Sequence, residues 1–150
     1  MKKLNRKGFT LIELLAIIVI LAIIMVVTIP TVLSSMGNAR QSTFETSANT
    51  VADWAEKNYA LVTTLGEGDA DAQFKALCTS TNQYCKTSTT LTADFLQAAG
   101  VSAKNYDLTK STIQFNANGR VCVTLEASTA DGSDFKTLTN KTAKSVGCTG

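Results

Sequence analysis

Apolar residues fill positions 9–29 of the chain almost without a polar break. Across residues 9–29, a run of 21, the only charged side chain is Glu13. As a helix this run is about 31 Å long at 1.5 Å per residue, which matches a hydrocarbon core of roughly 30 Å. The pattern then turns amphipathic. Met36, Phe44, Ala48, Val51, Ala55, Tyr59 and Val62 recur mostly at three- or four-residue steps, with Arg40, Gln41, Glu45, Asp53, Glu56 and Lys57 largely on other faces. One helix over residues 9–62 is therefore expected, and that length without an internal cap suits only a membrane, coiled-coil or assembly helix. Pro30, the chain's single proline, removes the amide that would bond the carbonyl of Val26, so a kink is expected there, with Gly37 as a second soft point.

Residues 65–90 read as a connection rich in Gly, Ser and Thr, with a short helix at 73–78. Residues 92–100 predict a small helix: Thr92 suits the N-cap, Asp94 the first turn and Gly100 the stop. From Ser111 the period changes to two. Ile113 and Phe115 alternate with polar neighbours, Asn118-Gly119 marks a hairpin, and Val121, Val123 and Leu125 alternate again. Residues 131–134 predict a loop, and 135–138 and 144–148 supply candidate strand pieces. The pattern predicts an α+β fold: a long N-terminal helix, partly transmembrane, whose second half covers one face of a three- or four-stranded antiparallel sheet.

Charge changes the picture at the amino end. The formal net charge of +2 includes Lys2, Lys3, Arg6 and Lys7; without residues 1–8 the chain holds 10 basic and 12 acidic side chains. The basicity is thus a targeting feature and not a nucleic-acid footprint. Retention of such a cluster in the cytoplasm predicts amino end in and carboxyl end out. A plain single-pass anchor fits the length of the apolar run but leaves Glu13 unexplained, because an acid in lipid is costly and by default functional. An ordinary secretory signal has a shorter apolar region ending at a small-residue site, and a lipoprotein needs an early cysteine, whereas the first here is Cys78.

The basic leader, the junction Gly8-Phe9, the acid at Glu13 and the apolar length together resemble the class III signal of type IV pilins and the pseudopilins of secretion and DNA-uptake machines. The resemblance is close over residues 2–30 and looser beyond. It implies a leader at 1–8, a transmembrane and filament-core helix at 9–30, an amphipathic continuation at 31–62 and a head domain at 63–150. It implies cleavage after Gly8 by a prepilin peptidase, N-methylation of Phe9, and pairing of Glu13 with the Phe9 amine of a neighbouring subunit. It also implies helix melting near Pro30 when filaments stretch. The function expected is a structural subunit of a type IV pilus serving adhesion, motility or colonisation. The alternative is a pseudopilin of type II secretion or competence DNA uptake, and a third reading is a membrane-anchored binding domain that never polymerises. The implied partners are further copies of the chain, the peptidase, an assembly platform and the membrane, and the implied location is the membrane first and the cell surface after assembly.

Cys78, Cys85, Cys122 and Cys148 all follow the apolar run, on the side where disulfides persist. Four cysteines allow three connectivities. Cys78 with Cys85 closes a short loop, and Cys122 with Cys148 would pin the carboxyl end as terminal bridges do in pilins; this pairing is favoured. No histidine is present, which excludes a Ser-His triad and an imidazole base, and no CxxC pair suggests zinc. No enzyme activity, metal or other cofactor is expected. Asp131 and Asp134 fall short of the six to eight oxygens calcium takes. Trp54 reads as a packing residue. Lys104, Lys110, Arg120, Lys136, Lys141 and Lys144 suggest either a basic patch or scattered solvated charges, and Asn140-Lys141-Thr142 fits a glycan sequon.

Overall fold

The computed structural model describes residues 8–81, 83–116, 118–136 and 143–146. Helix α1 (Leu11–Leu65) is one uninterrupted element that contains Pro30. The chain divides into two compact units, and the division falls between Met36 and Gly37.

In the first unit the large apolar side chains from Leu11 to Met36 are all exposed. A helix apolar on every side needs lipid or other helices around it. Its few hydroxyls are satisfied within the helix: Thr28 Oγ1 donates to the carbonyl of Ile24 at 2.9 Å, and Thr31 Oγ1 to that of Thr28 at 2.8 Å.

In the second unit α1 buries Phe44, Ala48, Val51, Ala52, Ala55, Asn58 and Val62. Small residues between two larger apolar ones let the other layers approach the helix closely. Besides two short 3-10 turns (Glu67–Asp69 and Ala103–Asn105), the other elements are α2 (Ala72–Leu77), β1 (Thr89–Thr90), α3 (Ala93–Ala98), β2 (Thr112–Phe115), β3 (Val121–Glu126) and β4 (Ala143–Val146), with the four strands ordered β1-β2-β3-β4 and every neighbouring pair antiparallel. Register sets Ile113 opposite Val123 and Phe115 opposite Val121, so their buried side chains share one face. Helix α1 covers this face: Tyr59 stacks on Phe115 at 4.4 Å between ring centroids, and Glu56 Oε1 accepts from the amide of Val121 at 3.2 Å.

Local signals explain the boundaries. Thr92 Oγ1 accepts from the amide of Phe95 at 3.2 Å, and Gly100 ends the α3 segment with φ +80°. Gly119 has φ +75° in the β2–β3 turn, where a Cβ would lie 3.0 Å from the Tyr59 ring. Two expectations fail. The two-residue strand β1 sits inside the stretch read as a connection; it is too short to show a period and exists only because its backbone pairs with β2. Phe135 lies in a turn and not a strand. It is buried for another reason: its ring packs edge-on against Phe44 at 5.4 Å and against Tyr106 at 5.6 Å.

Asn58 is a buried polar residue whose amide nitrogen and oxygen are both hydrogen-bonded. Its Nδ2 donates to the carbonyl of Trp54 at 3.0 Å, and its Oδ1 accepts from the amide of Asp71 at 2.7 Å. It therefore ties α1 to the entry of α2. Asn58→Leu should destabilise the head by about 1–3 kcal/mol, because the Asp71 amide loses its partner; chemical denaturation measures this, and an unchanged midpoint would show that water replaces the bond.

Stability should also carry a pH signature. Asp107 accepts from Thr109 Oγ1 at 2.6 Å and Thr109 N at 3.0 Å and lies 3.4 Å from Lys110 Nζ; the Thr109 bonds and Lys110 hold its carboxyl below the ordinary range. Glu126, 3.0 Å from Lys110, together with Asp107 raises the Lys110 ammonium, and burial pushes the Tyr106 phenol up against the opposing Ser47 hydrogen bond. The lowered acid adds stability that is present above about pH 4 and lost as pH falls further. The raised groups add stability that is present below about pH 10 and lost above it. Denaturation midpoints should form a plateau from about pH 5 to 9 and fall on both sides; a steady rise through pH 10 contradicts this.

Candidate functional site: the start of the long helix

The first helical turn is organised by two side chains. Glu13 Oε2 accepts from the amide and from the hydroxyl of Thr10, each at 2.8 Å, and Thr10 Oγ1 accepts from the amide of Glu13 at 3.3 Å. This reciprocal pair is a capping box, which satisfies amides that a helix start leaves without partners. The helix consequently begins at Leu11, two residues later than the sequence pattern suggested. Gly8, Phe9 and Thr10 precede it as non-helical chain, and Phe9 is 82% exposed. The signal is present in the sequence as Thr-x-x-Glu before an apolar run, and it gives the Glu13 carboxylate local partners in its own chain.

The structure thus places Gly8, Phe9 and Glu13 together at the amino end of α1, with Pro30 further along the same helix. What this arrangement offers is an exposed, non-helical Gly8-Phe9 junction next to an apolar helix, with one carboxylate in its first turn.

The head carries the remaining candidates. Cys78 and Cys85 are bonded at 2.06 Å and fully buried. Inside their loop Gln83, Tyr84 and Cys85 have φ of 51°, 58° and 62°. Three successive non-glycine residues of this hand cost roughly 1–2 kcal/mol each. The loop is held by Tyr84 N to Thr79 O at 2.8 Å, Gln83 N to Ser80 O at 3.1 Å and Phe115 N to Cys85 O at 2.8 Å. Cys122 is disulfide-bonded, and Cys148 lies outside the described residues.

Asp131 pairs with Lys136. Asp134 Oδ2 accepts from Asn105 Nδ2 at 3.1 Å and lies 3.7 Å from Lys104 Nζ. Both acids are thus engaged by cations, and among the described residues no group of three or more Asp, Glu, Cys or His side chains converges. Lys104, Lys110 and Lys136 are each tied to carboxylates, which breaks up the suggested basic patch; Lys141 and the sequon at 140–142 lie outside the described residues. Trp54 packs edge-on against Phe95 at 4.9 Å and against Phe74 at 6.2 Å, a core role.

A long apolar N-terminal helix whose second half packs on a small antiparallel sheet is a pilin-like α+β architecture. Residues 3–29 match the family described as the prokaryotic N-terminal methylation motif, so the chain carries the class III prepilin signal of type IV pilins and pseudopilins. No curated protein and no solved structure matches it.

Proposed function

We propose that the chain is a structural subunit of a type IV pilus, cut after Gly8, N-methylated at Phe9 and polymerised through α1. The observation that carries this reading is the methylation motif sitting on a helix that is apolar all round and begins with a capped carboxylate. A prepilin signal implies the peptidase and filament formation. The apolar rod can exchange lipid for copies of itself because its backbone is internally bonded in either setting. Glu13, costly in lipid, gains a partner in the Phe9 ammonium of a neighbour, so docking in register is favoured over other offsets. The head, with its covalently closed loop, faces outward.

The second reading, a pseudopilin for secretion or DNA uptake, shares the amino-terminal chemistry. The pairing of Lys104, Lys110 and Lys136 with acids supports the pilus over a DNA-binding head. Electron microscopy of filaments sheared from the native cells, with mass spectrometry of the chain, tests both readings. Abundant filaments whose chain begins at methylated Phe9 support the pilus. A processed chain without long filaments supports the pseudopilin, and a chain retaining Met1 to Gly8 overturns both.

A further inference from the structure

We propose that the cleft over the Cys78–Cys85 bridge binds a negatively charged sugar group. The cleft holds about 230 Å³ and is walled by Lys75, Cys78, Thr79, Ser80 and Tyr84. Its size is below that of a drug-sized pocket and suits a single ring.

Three observations converge here. Lys75 is half-buried, and among the described residues no carboxylate lies within ion-pair distance of it, whereas Lys104, Lys110 and Lys136 all have one. A lysine whose stem is partly covered and whose ammonium has no counter-charge nearby is suited to an anion. The wall beside it carries the hydroxyls of Thr79 and Ser80 and the ring of Tyr84, which match the hydroxyls and the apolar face of a pyranose. The third observation is the backbone. Gln83, Tyr84 and Cys85 keep positive φ, a conformation that persists only where the surroundings impose it and that clusters at ligand clamps. The disulfide and the bond from Phe115 N to Cys85 O impose it here. Tyr84 is thereby fixed before any ligand arrives, which lowers the ordering cost of binding. The inference stands independently of whether the chain polymerises.

The test is NMR titration of the full chain in detergent micelles with glucuronate, glucose 6-phosphate and, as the uncharged control, glucose. Saturable shifts at Lys75, Thr79, Ser80 and Tyr84 are expected with an anionic sugar at millimolar concentration and not with glucose. Lys75→Gln should weaken binding about tenfold or more, and Lys75→Arg should restore most of it. Preference for glucuronate assigns a carboxylated sugar, and preference for glucose 6-phosphate a phosphorylated one. Glucose binding as well as the anions, affinity unchanged in Lys75→Gln, or no saturable shift at about 20 mM of either anion overturns the proposal.

Discussion

Cells carrying Glu13→Ala or Glu13→Val should process the chain at Gly8 yet make few or no filaments. The expectation is a loss of ten-fold or more in assembled chain, because a carboxylate contributes differently to the two states. In the membrane it is a liability, about 2.5–3.5 kcal/mol at a helix centre and less near an end. It is eased there by the two hydrogen bonds from Thr10. In the proposed filament it faces the ammonium of a neighbour. Replacing it with an apolar residue makes the membrane-bound subunit more comfortable in lipid and removes what the filament gains. Glu13→Gln separates the two roles of the side chain. Glutamine can accept from the Thr10 amide and so keeps the capping box, but it carries no charge. If the ion pair drives assembly, Glu13→Gln should lose filaments as Glu13→Ala does. If Glu13→Gln assembles normally, Glu13 acts as a helix cap and the ion-pair account fails. The readouts are immunoblots for the uncut and cut forms and counts of sheared filaments.

The second large effect belongs to Phe74. It sits on α2, a helix of six residues that has little stability of its own. Its ring is fully buried and meets three others: Trp54 on α1 at 6.2 Å, Phe95 on α3 at 6.4 Å and Phe115 on β2 at 6.0 Å. One side chain thus joins the long helix, two short helices and the sheet. Phe74→Ala should cost about 3–5 kcal/mol through lost burial and the cavity left behind. For a head of this size that lowers the melting temperature by on the order of 10–20 °C. Phe74→Leu keeps most of the volume and should cost clearly less. Thermal unfolding followed by near-ultraviolet circular dichroism measures both. A Phe74→Ala head that melts within a degree or two of the parent would mean that Trp54, Phe95 and Phe115 close over the gap, and that Phe74 is not the joint described here. Glu13 and Phe74 lie far apart in sequence and in different units, so the double variant should show the two losses independently.

Much of the molecule was legible in the chain because its strongest signals are periodic and local. A run of 21 residues with a single charge leaves few readings besides a span or an assembly helix, and Thr92, Asp94 and Gly100 mark a helix by side-chain chemistry that acts within one turn. The alternation of Ile113 with Phe115, and of Val121, Val123 and Leu125, locates two strands because residues two apart share a face. The Asn118-Gly119 pair joins them because Gly119 needs a positive φ.

What the chain alone left undecided depends on partners distant in sequence. Strand β1 has no pattern of its own and exists because Thr89 lies opposite Ile113. Phe135 is buried in a turn, held by Phe44 and Tyr106, which stand far before it in the chain. Asn58 reads as an ordinary polar helix residue until the Asp71 amide arrives at 2.7 Å. Lys75 carries no signal in the sequence, and only the folded loop shows it half-buried with no carboxylate at ion-pair distance among the described residues, while three other lysines have theirs. By itself, the sequence determined the apolar helix, the prepilin signal at its start and which faces must be covered, since these follow from hydropathy, spacing and charge along one stretch of chain. Only the tertiary structure decided which side chains cover those faces and which charges stay unpaired, because both depend on distances that the order of residues does not contain.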